Sequence, residues 1–237
     1  MFEHPVLGID TCGAVGTVAL ADIGKEITTV TCISQAALGG RAASAQLMPA
    51  IDRMLREAGL GLEALRTLVV VNGPGSFTGI RVGLSTAKGL AHATGLPIVA
   101  ISRLFVLASL ADTLRDSLAL LDAGRNEFYA RRAEREWLAS YEEIAAAAGD
   151  GTPLVIAEQS MARESIAQES AAEEGIAKRL AAWRPVRVGP LDACAAVRAA
   201  LTRIRSGKWD DLSTLDANYL RRSDAELFAR PQSAPAR

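Results

Sequence analysis

The stretch 72–91 reads NGPGSFTGIRVGLSTAKGLA and sets Gly73, Pro74, Gly75 and Gly79 at the head of an apolar helix. A glycine-rich loop in that place can cradle a phosphate, because the first N–H groups of a helix have no partner inside it. Two phosphate motifs fail on spacing. From Gly73 the sixth position is Thr78, where a P-loop needs glycine followed by lysine, and Lys88 lies too far on. After Gly73-Pro74-Gly75 come Ser76, Phe77 and Thr78, so the third glycine of a dinucleotide fingerprint is missing. Ser76 or Thr78 is placed to cap the helix, and we read a structural loop of Gly73, Pro74, Gly75, Ser76, Phe77, Thr78 and Gly79 with Arg81. Other chemistry is sparse. His4 and His92 have no cysteine, histidine or carboxylate at ligand spacing, so no metal site is read, and His92 reads as a packed or capping residue. No G-x-S-x-G elbow occurs. Cys12, Cys32 and Cys194 are odd in number and far apart, which predicts free thiols in a reducing cytosol.

The elements around the loop follow from hydrophobic pattern. Runs at 5–11 and 14–22 form a hairpin about Cys12 and Gly13, and 26–33 is a third strand. A helix over 44–60 carries Leu47, Ile51, Met54 and Leu55 at helical spacing, with Pro49 assigned to its first turn. Strands at 67–72 and 96–101 flank the loop and its helix. The stretch 117–132 repeats the opening: an apolar run into an aspartate, a turn, a second strand. Asp10-Thr11 and Asp122-Ala123-Gly124 are the matching turns. Then come a strand at 153–157, an Ala/Glu/Lys helix near 171–182, a strand at 186–188 and a helix that Pro190 starts. Two βββαβα-like halves predict a two-lobed α/β fold of the actin-like ATPase, sugar-kinase and Hsp70 type. The lobes are assigned to 1–104 and 105–213, with about 214–230 packing back on the first and a disordered tail at 231–237. In a kinase of that fold Asp10, Thr11, Asp122 and Gly124 would sit beside nucleotide phosphates. The simpler reading is that both aspartates bond their own turns.

Composition excludes several classes. Net charge is −1 with 22% charged residues, so no overall basic field draws the chain to nucleic acid or anionic lipid. No apolar run approaches the ~20 residues of a membrane helix, and the start lacks the pattern of a secretion signal. Arginines gather at Arg131, Arg132 and Arg135 and at Arg221 and Arg222, and both groups read as solvated faces.

The string GPGSFTGIRVG resembles the signature of the TsaB (YeaZ) family. Further stretches agree in order: VLGIDT, SAQLMPAID, LLDAGRNEFYA and NYLRRSDAE. Two positions depart from the pattern, Ala43 where the family has histidine before Ser44, and Gly124 where it has arginine. The resemblance implies a cytoplasmic, non-catalytic partner in the synthesis of N6-threonylcarbamoyladenosine at adenosine 37 of tRNAs reading ANN codons. The implied partners are a TsaD-like catalytic subunit, a TsaE-like ATPase, tRNA through the complex, and a second copy of the chain through the same helices; no membrane is implied. ATP is used by the complex, and no cofactor is held tightly by this chain. In the related catalytic subunit a metal-binding His-x-x-x-His follows the strand after the loop helix. On that register Arg103 and Leu107 stand here.

The loop helix has an uncharged second face, Val82, Ser85, Gly89 and Ala93, beside the core face of Ile80, Leu84, Ala87 and Ala91. The resemblance assigns that second face to a subunit interface, with Leu47 and Ile51 of the preceding helix. The alternative function is a stand-alone nucleotide-dependent phosphotransferase or ATPase.

Overall fold

A computed structural model of the chain describes residues 2–25, 29–39, 42–111, 116–125, 127–149, 151–157 and 183–221. The helix expected near 171–182, Arg222 and the tail lie outside the described residues.

Two five-stranded sheets carry the fold. The first half runs β1 (Pro5–Asp10), β2 (Gly16–Ile23), β3 (Val30–Leu38), α1 (Ala43–Glu57), β4 (Thr67–Val71), α2 (Phe77–Thr94), β5 (Ile98–Ile101) and α3 (Arg103–Leu110). The second runs β6 (Leu118–Gly124), β7 (Glu127–Arg132), β8 (Arg135–Ser140), α4 (Tyr141–Gly149), β9 (Leu154–Ala157), β10 (Val186–Val188) and α5 (Ala193–Arg205). Strand order is β3-β2-β1-β4-β5 in one sheet and β8-β7-β6-β9-β10 in the other. The two orders are the same when each half is counted from its own first strand. In each, the first three strands are antiparallel and the last two join in parallel. The internal repeat read from two aspartate turns is thus a repeat of whole topology.

Strand alternation sorts the core into layers. Leu7 and Ile9 of β1 and Leu68 and Val70 of β4 point one way, onto Leu47, Ile51 and Leu55 of α1 and Leu84, Ala87 and Ala91 of α2. Val6, Val69, Val71 and Val99 point the other way, into a core shared with α3, α5, and Ala119, Leu121 and Val155 of the second sheet. The helices α3 and α5 therefore lie between the sheets, and α4 contributes Ile144 to a smaller core beyond the second sheet.

Several expectations are corrected. The sequence places the helix that becomes α5 in the second lobe, yet α5 packs on all five strands of the first sheet. The reason lies at Gly8, where a Cβ would stand 2.8 Å from the Ala193 carbonyl oxygen, so the bare backbone lets α5 approach. Asp192, not Pro190, starts α5: its carboxylate accepts from the Ala195 N–H at 2.8 Å. Pro49 lies inside α1 rather than in its first turn, because the helix begins at Ala43. The third strand runs on to Leu38. Cys32 and Cys194 are disulfide-bonded across 162 residues, tying β3 to the start of α5, and Cys12 alone is a free thiol.

After α5 the chain covers the open edge of β5. Asp210 Oδ2 accepts from the Ala100 N–H at 2.7 Å, and Arg203 donates to the Ala100 carbonyl at 2.8 Å. This caps an edge strand that would otherwise offer unpaired backbone groups. Residues 215–221 then run as a strap from the first sheet to the second. Lys88 donates to the Leu215 carbonyl, and the Asn72 side chain donates to the Asp216 carbonyl. The Asn218 N–H bonds the Asn72 carbonyl at 2.8 Å, while its side chain donates to Glu136 of β8 at 2.7 Å. Arg221 reaches the β6–β7 turn, at the Gly124 carbonyl and the Glu127 carboxylate.

Candidate functional site: the glycine loop, its turn and its helix

The loop is folded onto the β1–β2 turn. The Ser76 N–H donates to the Cys12 carbonyl at 2.8 Å, and the Thr11 hydroxyl donates to the Gly79 carbonyl at 2.6 Å. A Cβ at Gly75 would overlap the Cys12 carbonyl oxygen, one at Gly79 the Thr11 carbonyl oxygen, and one at Gly83 the Thr11 hydroxyl. Gly73 has φ of 117°, which L side chains rarely adopt. These glycines are needed for close approach of protein to protein. Ser76 caps α2 by accepting from the Gly79 N–H at 3.3 Å.

Both aspartate turns close on themselves. The Cys12 N–H donates to Asp10 Oδ1 at 2.8 Å, and the Gly124 N–H donates to Asp122 Oδ1 at 2.7 Å. They differ in surroundings, because Asp10 is buried and Asp122 is exposed. The second carboxylate oxygen of Asp10 forms an ion pair with Arg103 Nε at 3.4 Å, without hydrogen-bond alignment. Gly13 makes room for that guanidinium. Cys12 lies beneath, its thiol donating to the Val71 carbonyl at 3.2 Å. Burial, reinforced by the Asp10 charge, pushes that thiol well above the ordinary cysteine range, so it is neutral and unreactive.

Arg103 opens α3 and Leu107 is fully buried one turn later. Neither position holds a metal-ligating side chain, and the first is committed to Asp10. Among the described residues no group of three or more His, Cys, Asp or Glu side chains could hold a metal ion.

The second face of α2 is open. Ser85, Gly89 and Ala93 are exposed and Val82 is half-buried, with nothing within 4 Å of where a Gly89 Cβ would stand. Among the described residues, nothing of the second lobe covers this stripe. Leu47 and Ile51 do not join it. Both are 1% exposed and lie in the core on the first sheet, where α1 packs on β2 and β3, so their assignment to an interface is corrected; Met48, 44% exposed, is the large apolar side chain α1 shows to solvent. His92, read as packed or capping, is exposed. Sequence reasoning missed Tyr219, which joins Phe77 and Arg81 on the surface, and Arg103 as the partner of Asp10. Arg81 meets the loop only at its outer side, where its guanidinium lies over the exposed Phe77 ring.

A family model described as "TsaD: tRNA N6-adenosine threonylcarbamoyltransferase" matches residues 28–196. The TsaB threonylcarbamoyladenosine biosynthesis protein of Haemophilus influenzae is 37% identical over 134 residues, 55% of this chain and 54% of that protein. The chain belongs to this family, as one of its TsaB (YeaZ) members. The TsaB protein of Escherichia coli K12 is 31% identical over 134 residues, covering 55% of each chain. The aligned part of the chain thus spans about half the length of these TsaB relatives. The solved structure of YeaZ from Pseudomonas aeruginosa superposes with a TM-score of 0.64 over 92% of this chain and 100% of that one, at 22% identity. That likeness carries the two-lobed, actin-like fold. No helix among the described residues is long and apolar enough to cross a membrane.

Proposed function

We propose that this chain is the non-catalytic subunit of a cytoplasmic complex that makes N6-threonylcarbamoyladenosine at adenosine 37 of tRNA, and that it docks a TsaD-like catalytic subunit. The observation that carries the reading is the stripe Val82, Ser85, Gly89 and Ala93 on α2, which the described residues leave uncovered at Ser85, Gly89 and Ala93. Small uncharged side chains let another helix approach to roughly 8–10 Å between axes, and its burial supplies the affinity. The family names of the relatives supply the pathway. The state of the first turn and of the loop supports a scaffold rather than a nucleotide enzyme: Asp10 is engaged by its own turn and by Arg103, and the glycine loop is filled by Thr11 and Cys12. ATP and tRNA are then handled by the complex, with a TsaE-like ATPase as a further member, and the stripe also serves a homodimer of the free chain.

The test has two arms. The purified chain, given ATP, threonine, bicarbonate and tRNA, forms no modified adenosine until the catalytic subunit and its partners are added. Product from the chain alone would sink the scaffold reading. In the second arm Gly89→Glu and Ser85→Glu leave the melting temperature near the parent's and weaken binding to the catalytic subunit at least tenfold, because a carboxylate would be desolvated at the contact. Normal binding by both variants would move the interface elsewhere.

A further inference from the structure

Three exposed side chains meet at the head of α2. The Arg81 guanidinium carbon lies 3.8 Å from the centre of the Phe77 ring, and Arg81 Nε donates to Tyr219 Oη at 3.0 Å. The two rings are 5.2 Å apart and tilted by 31°. Phe77 keeps 43% of its surface open and Tyr219 41%. The loop does not need them, since Ser76 caps the helix and the glycines fit against Thr11 and Cys12. The backbone that carries both rings is nevertheless anchored, and the rings and Arg81 hold one another. Phe77 follows the capping Ser76 directly, and Tyr219 follows Asn218, which is bonded to Asn72 and Glu136. A cluster held this way has already lost much of the side-chain freedom that binding would remove.

Its chemistry points to an oxyanion. A guanidinium has five N–H donors in a planar fork, and here Nε is taken by Tyr219. The outer pair of amino groups is the edge that grips a carboxylate with two parallel hydrogen bonds. Among the described residues no carboxylate lies within ion-pair distance of Arg81. Flanking aromatic rings would shut water out once the cluster is covered, and contacting Tyr, Arg and Phe side chains are the composition of interface hot spots. Arg81 also stands one helical turn before Ser85 and two before Gly89, so the cluster continues the bare stripe.

We infer that Phe77, Arg81 and Tyr219 anchor the subunit contact, and that the catalytic subunit presents an aspartate or glutamate carboxylate gripped by the outer edge of Arg81 beside the two rings. This rests on the docking reading above. A phosphate of RNA offers a similar oxyanion, but the uncharged stripe beyond Arg81 suits a protein helix better than a polyanion, which rewards a row of cations.

The experiment titrates the purified catalytic subunit into the parent chain and into Arg81→Ala, Arg81→Lys and Tyr219→Phe at low and high salt. Binding of a labelled tRNA transcript to the chain is measured beside it, as is the melting temperature of each variant. We expect Arg81→Ala to melt near the parent, to bind the subunit at least tenfold more weakly and to lose salt dependence. Arg81→Lys recovers only part of the loss, because an ammonium cannot make the paired bonds, and Tyr219→Phe costs a few-fold. Subunit affinity within twofold of the parent in Arg81→Ala overturns the anchor, and so does a fall in tRNA affinity with subunit binding intact. If Gly89→Glu disrupts docking while Arg81→Ala does not, the anchor falls and the stripe stands; if neither disrupts it, both fall.

Discussion

Arg103 Nε stands 3.4 Å from Asp10 Oδ2, at a junction where the Arg103 side chain is 17% exposed and that of Asp10 4%. The carboxylate oxygen left over from the turn faces a cation supplied by the chain itself. In a nucleotide enzyme of this architecture an aspartate in such a turn would be available to a metal ion. Here the charge is balanced from within, and the ion pair joins the first hairpin to the helix between the sheets.

Exchange of Asp10 for asparagine separates structure from chemistry. An asparagine oxygen still accepts from the Cys12 N–H, but Arg103 loses its counter-charge in a poorly hydrated place. We expect unfolding in urea to show a loss of about 3–5 kcal/mol. The reconstituted complex should keep its activity within a few-fold when saturated with folded variant. A fall near 1000-fold, about 4 kcal/mol of transition-state stabilisation, would mean that Asp10 does chemistry.

Two glycines of α2 should respond in opposite senses to the same substitution. Gly79→Ala forces a methyl into the Thr11 carbonyl and should cost about 1–3 kcal/mol in chemical denaturation. Gly89→Ala meets nothing and should raise stability by up to about 1 kcal/mol through helix propensity. Equal effects at both positions would contradict the packing described for the loop.

His4 gives the stability curve a pH dependence. Burial lowers its pKa, outweighing the raising effect of nearby Asp22. The unfolded chain therefore takes up the proton first as pH falls. The stabilising contribution is present in full above the ordinary imidazole value, about 6.5, and is lost as pH falls below it toward the depressed native value. His4→Gln, which retains a hydrogen-bonding group toward Thr67, should flatten the melting-temperature profile between about pH 7 and pH 5. An unchanged slope would place the titrating group elsewhere.

The three cysteines should behave in two ways. Peptide mapping without reductant should recover Cys32 linked to Cys194, and opening that bond should lower stability by about 2–4 kcal/mol. Cys12 should resist a thiol reagent in the native chain and react once the chain is unfolded, because its thiol is buried and neutral. Rapid native labelling of Cys12 would be the contrary result.

Much of the frame was legible because its signals are local. The short, β-branched apolar runs at β1, β4 and β5, bounded by turn residues, read as buried strands, and a cap at Ser76 or Thr78 with the glycine spacing announces α2 before any tertiary contact is known. Contacts between distant segments left no such mark. The Cys32–Cys194 bond depends on α5 lying against the first sheet, and nothing near Cys194 in sequence says which sheet it meets. Leu47 and Ile51 are apolar at helical spacing, a pattern shared by a core face and an interface face; only packing tells the two apart. The strap was hardest of all. Asn218, Tyr219 and Arg221 sit in a polar stretch without periodicity, and their roles exist only where Asn72, Arg81, Glu127 and Glu136 have been brought to meet them.

That strap sets an order of events during synthesis. The Asn72 side chain waits for the Asp216 carbonyl, 144 residues later. At ribosomal speeds of about 5–20 residues per second, the wait is roughly 7–30 s. Through that interval the glycine loop lacks the segment that crosses it, and Arg81 and Phe77 lack Tyr219. The first half of the chain can fold early, but the surface around the head of α2 is complete only once residue 219 has been made and released. On the docking reading proposed above, assembly through that surface would be a late event, and a nascent first lobe would not yet be fully equipped to bind.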